Sequence, residues 1–144
     1  MSNALFRITV CAAAVFGALP VQAQTIWDGV YSAPQADRGA TFYNGVCAKC
    51  HGRSGNGAGD PDQPESPAVA RTTFLSKWEG RSLAELFDYL RTAMPYDNPG
   101  SRSDQEMIDA VAHMLALSDV PAGEAELAPD VEALESIEIV AEEP

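Results

Sequence analysis

Cys47-Ala48-Lys49-Cys50-His51 sets two thiols three positions apart and places an imidazole directly after the second. Thiols at this spacing can add across the two vinyl groups of a haem, while the adjacent imidazole reaches the iron from below the ring. The pentapeptide therefore reads as a c-type attachment site for one covalently held haem c, with Cys47 and Cys50 forming the thioethers and His51 as an axial iron ligand. Other uses of the pair fit less well. A thioredoxin-type redox pair needs a βαβ context, which the pattern lacks, and a zinc site needs a fourth ligand and usually a second cluster.

Residues 1–23 read as a secretory signal peptide: Arg7 is their only charge, and Ile8 to Leu19 form an apolar run of 12 residues. Pro20-Val21-Gln22-Ala23 offers small residues before a cut after Ala23. A membrane span takes about 20 apolar residues, more than this run or any later one supplies, so the processed chain is expected to be soluble, periplasmic and without a membrane anchor. Cys11 falls inside the segment, and Val10 before it argues against a lipoprotein anchor. Cys47 and Cys50 are then the cysteines retained, an attachment pair and not a disulfide framework.

Removing 23 of 144 residues leaves 121, one domain with a modest protein core to which a buried haem would add a large apolar surface. The charge is uneven. Residues 24–120 carry 13 acids and eight bases, whereas the tail, 121–144, carries eight acids and no Lys or Arg. This disfavours nucleic acid and anionic membranes as partners and leaves either basic protein surfaces or a plain solubilising role.

Pro34 to Val46 reads as a first helix, with Gly39 and Tyr43 on one face at i and i+4 so that another helix can approach closely. Thr25 to Tyr31 reads as an extended lead-in anchored by Trp27 and Tyr31. Gly52 to Pro67, with Pro61 and Pro64, is a glycine- and proline-rich loop, and no Gly-Lys-Ser/Thr closes it into a phosphate cradle. Two capping boxes, Ser82 with Glu85 and Ser103 with Glu106, open helices through about Thr92 and Leu117. Leu83, Leu86, Phe87 and Leu90 face inward on one; Ile108, Val111, Ala112 and Leu115 do so on the other. In the tail, Leu127, Leu134, Ile137 and Ile139 are spaced for contact, with Asp130 able to cap a short helix from Val131 to Glu135. Docking on the domain, partner capture and disorder are all open for this segment.

The second axial ligand must come from afar. Met107 and Met114 sit on a regular helix, where core packing or surface cover is the ordinary role, and His113 beside the inward Ala112 reads as a helix-crossing or surface residue. Met94 lies between proline turns, where a side chain can be aimed, and is assigned as the sixth ligand. Trp78 is either a core residue or an indole donor to a haem propionate. Thr92 and Tyr96 are near enough in sequence to tune the iron through hydrogen bonds.

These features resemble the single-haem, class I cytochromes c over roughly Ala33 to Leu117: Gly39 and Tyr43, the pentapeptide, Met94-Pro95 and a terminal helix. The resemblance implies an all-α fold of three to five short helices around one covalent haem, a crossing of first and last helices near Gly39, and His51/Met94 ligation. It also implies that the Pro67 carbonyl accepts the proton of His51 and orients the ring. His113 stands where the family usually has an aromatic residue. Ile26 to Tyr31, Thr73 to Trp78 and Met94 to Gly100 look like a bacterial periplasmic subgroup that often accompanies quinone-cofactor dehydrogenases or sulfur-oxidising enzymes.

Residues and resemblance together predict a one-electron carrier, not an enzyme, monomeric or weakly associating, that meets redox partner proteins in brief small contacts. The alternative is a dedicated electron-accepting subunit of a periplasmic dehydrogenase. A haem sensor or haem enzyme needs a displaceable sixth position, and no distal histidine or arginine pair near Met94 supports one.

Overall fold

Ser32 begins the first helix from an extended backbone, its hydroxyl accepting the Gln35 N–H at 3.3 Å, and Pro34 occupies a first-turn position where no N–H is needed. The computed structural model describes residues 24–63 and 65–144. Residues 1–23, read above as a signal peptide containing Cys11, lie outside the described residues, as does Pro64.

Among the described residues, two short strands and six helices follow in the order β1 (Gln24–Thr25), α1 (Ala33–Val46), α2 (Ala48–His51), α3 (Arg71–Trp78), α4 (Leu83–Ala93), α5 (Asp104–Leu117), α6 (Val131–Glu135) and β2 (Ile137–Glu138). The fold is mostly helical, as expected. The helices among the described residues outnumber the three to five expected because α2 is a single turn inside the pentapeptide and α6 belongs to the tail. Both capping boxes form, and Ser82 and Ser103 each exchange hydrogen bonds with the glutamate three residues on.

α1 packs across α5 with Gly39 at the crossing. A Cβ there would stand 1.9 Å from the Asp109 carbonyl oxygen and 3.0 Å from His113 Cβ, so the two backbones meet where only hydrogen fits. One turn on, Tyr43 and His113 pack ring against ring, centroids 5.1 Å apart and tilted by 57°. His113 thus fills the aromatic position at the helix crossing. The buried core joins Leu83, Leu86 and Phe87 of α4 to Ile108, Val111 and Leu115 of α5.

The lead-in is not extended over Thr25 to Tyr31. Only Gln24–Thr25 is strand, because the Asp28 carboxylate accepts both the Thr25 N–H at 2.7 Å and its hydroxyl at 3.1 Å and pinches the chain into a turn. Tyr31 and Trp27 still anchor it: the Tyr31 hydroxyl donates to Val120 O and the Trp27 indole to Val140 O. Both acceptors lie at or beyond the end of α5, so the lead-in and the tail hold each other.

Residues 121–144 return along the N-terminal ends of α1 and α4. Leu127, Leu134, Ile137 and Ile139 are buried. The wholly buried Gln35 side chain donates to Leu127 O at 2.9 Å and accepts from Leu127 N at 2.8 Å, clamping the tail backbone at both of its polar groups. Arg38 spans Asp109 of α5 and Glu126 of the tail. Asp130 caps α6 by accepting from Glu132 and Ala133. β2 then pairs with β1 in parallel, Gln24 opposite Ile137.

Candidate haem site

The pentapeptide sits where α1 gives way to α2. Cys47 caps both helices in an α-region backbone, and its N–H closes on Tyr43 O while the Cys50 and His51 N–H groups close on its own carbonyl. This one-turn helix turns both thiols and the imidazole toward a cavity of about 460 Å³, large enough for a cofactor. Among the expected site residues, Cys47, Cys50, His51, Pro67 and Met94 all line it. Tyr43, Val69 and Leu90 add apolar wall.

The loop from Gly52 to Pro67 wraps around the histidine side. Gly57 N–H donates to His51 O, Asp60 N–H to Lys49 O and Val69 N–H to Gly55 O. Gly59 packs so tightly that a Cβ would come within 2.4 Å of the Lys49 and Cys50 carbonyl oxygens. This contact, more than turn chemistry, explains a glycine at that position. His51 Nδ1 lies 2.9 Å from Pro67 O. A carbonyl only accepts, so Nδ1 carries the proton and Nε2 keeps its lone pair for a metal.

Met94 arrives differently. α4 ends at Ala93, and Met94 leaves the helix with an extended backbone, φ −119° and ψ 155°, as a residue before proline should. Met107 and Met114, both buried on α5, also line the cavity. The sequence reads these two as core packing or surface cover, and it does not reveal that the core face of α5 is also the cavity wall.

No disulfide joins Cys47 to Cys50. Burial, the largest influence, pushes the Cys47 thiol up to about 11, with Arg102 opposing it and Cys50 adding to it. Burial, reinforced by Cys47, also raises the Tyr43 phenol, whose hydroxyl donates to Gly52 O at 2.9 Å. Two cysteine sulfurs, an imidazole held by the Pro67 carbonyl, methionine thioethers and an apolar wall are a donor set that fits a haem. Among the described residues no cluster of three or more His, Cys, Asp or Glu could hold a free metal ion.

Trp78 is not among the residues lining the cavity; it is buried, and its ring packs against Phe74 and Tyr89, with the Arg81 guanidinium 4.2 Å from its centroid. Thr92 likewise turns away, its hydroxyl donating to Asp88 O of its own helix. Tyr96 does reach the cavity rim, although it is 83% exposed. Sequence reasoning missed Asp97, which also reaches the rim and pairs there with Lys49.

No helix among the described residues is long and apolar enough to cross a membrane. A search of curated proteins finds no match. Among solved structures, the sulfane dehydrogenase SoxCD from Paracoccus pantotrophus is similar over 85% of this chain, at 18% identity and a TM-score of 0.45. The alignment covers 66% of that longer chain, just under two thirds. Residues 34–114 match the family model described as cytochrome c oxidase, cbb3-type, subunit III, a span from α1 into α5 that contains the pentapeptide, Pro67 and Met94. The chain belongs to this family of haem-binding, electron-transferring cytochrome c domains.

Proposed function

We propose that the chain is an exported, periplasmic one-electron carrier with a single haem c joined to Cys47 and Cys50 and bound axially by His51 and Met94. The observation that carries this reading is convergence: five of the six residues expected at such a site, Cys47, Cys50, His51, Pro67 and Met94, come from three separated stretches of the chain and line one apolar cavity. When bound, the haem would supply the one-electron couple, and the Met94 thioether as a ligand would raise its potential relative to a second histidine. Pro67 fixes the His51 ring and its tautomer. The apolar wall keeps water from the ligands, and the wrapped loop holds the histidine side rigid. Partners are redox proteins, met through small and short-lived contacts.

Two measurements test the reading. After acid-acetone extraction of the denatured protein, colour should remain with the polypeptide; haem in the solvent would refute covalent attachment. The ferric protein should show the weak far-red sulfur-to-iron band of His/Met ligation, and Met94→Ala should abolish it. Because Met107 and Met114 also line the cavity, loss of the band in Met107→Leu or Met114→Leu, with Met94→Ala unaffected, would reassign the ligand.

A further inference from the structure

The two sides of the cavity are held in place by different means. On the histidine side, backbone hydrogen bonds run from the 52–69 loop onto the attachment turn at His51 O and Lys49 O, and Pro67 O holds the ring. On the methionine side, the backbone hydrogen bonds of the loop close on the loop and its parent helix: Met94 N–H on Leu90 O, Asn98 N–H on Pro95 O, Gly100 N–H on Met94 O. What crosses from this loop to the attachment turn is an ion pair. Asp97 Oδ2 lies 2.5 Å from Lys49 Nζ, joining the residue three after the methionine to the residue just before the second cysteine.

Both residues line the cavity, at its rim, and both are partly exposed. A second cation, Arg102, acts electrostatically on Asp97, Lys49 and Cys47. Lys49 is the partner in contact with the Asp97 carboxylate, and Arg102 adds a weaker positive influence on it.

We infer that Lys49 and Asp97 form a clasp across the cavity mouth that holds the Met94 loop against the cofactor, making both of them positioning residues for the methionine ligand. The inference rests on the His51/Met94 reading above. It follows from where the pair sits and not from its strength in isolation, since exposed ion pairs contribute little to global stability. A loop whose backbone hydrogen bonds are its own can swing as a unit about the α4 terminus, and a pair at its tip acts directly on that motion. Detachment of the loop carries Met94 from the iron and lets an external ligand in. The clasp should therefore set the rate of ligand exchange while leaving the melting temperature nearly unchanged.

The experiment measures imidazole binding to the ferric, haem-loaded full chain by loss of the sulfur-to-iron band, at a pH where imidazole is neutral so that charge at the rim does not steer it. Lys49→Gln and Asp97→Asn should each speed binding by about fivefold, the factor given by the upper range of an exposed pair. Asp97→Asn should have the larger effect because Arg102 also loses its partner charge. The charge-exchanged double variant Lys49→Asp/Asp97→Lys should return toward the wild-type rate, which no loss of packing would do. Raising salt should bring the wild type toward the single variants, because screening shortens to about 3 Å at 1 M. A wild type lacking the band overturns the ligation reading and the clasp with it. A wild type with the band, whose exchange rate is unaltered in both single variants or not restored by the exchange, overturns the clasp alone.

Discussion

Replacing Gly39 by alanine should destabilise the protein, although alanine is the better helix former by about 1 kcal/mol. The added methyl would lie 1.9 Å from Asp109 O and 2.6 Å from Asp109 C, where real Cβ atoms essentially never come within 3.0 Å. The obstacle is backbone, so no rotamer change relieves it; α1 and α5 must part by roughly 1 Å, disturbing the Tyr43–His113 contact one turn away. Overpacking of this kind costs about 1–3 kcal/mol, and a backbone contact belongs at the upper end. Offsetting the helix gain leaves a net loss of about 2 kcal/mol, or roughly 6–10 °C in melting temperature for a domain of this size. Gly45 supplies the internal control. It lies on the same helix, and a Cβ added there would meet nothing within 4 Å, so Gly45→Ala should leave the melting temperature unchanged or raise it by a few degrees. Thermal unfolding of the two haem-loaded variants by far-ultraviolet circular dichroism decides the matter. If Gly39→Ala melts at or above the wild type, the crossing is not the close backbone contact described.

Two further outcomes are expected. Gln35→Leu keeps the volume but leaves the buried Leu127 N–H and C=O without their partners, which should cost about 2–4 kcal/mol in denaturant unfolding and expose the tail to protease; an unchanged midpoint would show that the clamp is replaceable. Burial, opposed by Asp37, holds His113 below the ordinary imidazole value of 6.5. Unfolded chains therefore take up its proton first as pH falls through about 6.5, and stability drops from there down to the lowered folded value. His113→Phe should lack this step, so its melting temperature should gain on the wild type as pH goes from neutral to about 5; a constant difference would contradict the assignment.

Elements with a local start signal were legible in the sequence. Ser82/Glu85 and Ser103/Glu106 announced α4 and α5, Pro34 announced α1, and Pro95 marked the end of α4 at Ala93. α3 was not read as a helix. Its N-cap is Ala70, which has no side chain to cap with, and Thr72 and Thr73 blur its first turn. The β1–β2 pairing was equally hidden, since two residues at each end of the domain carry no pattern until the fold brings them together. At the site, the pentapeptide and the Met94 loop could be read because their chemistry is local. The Lys49–Asp97 pair could not, because it joins residues 48 positions apart that are ordinary surface charges on their own.

The parallel pairing of Gln24 with Ile137 also orders events during synthesis. A chain emerging from its N-terminus presents its first strand, and the Trp27 indole that seeks Val140 O, more than a hundred residues before either partner exists. Such distant closures are the slow part of assembly. Cys47, Cys50 and His51 are synthesised well ahead of that closure, so the pentapeptide is accessible while the two ends have yet to meet.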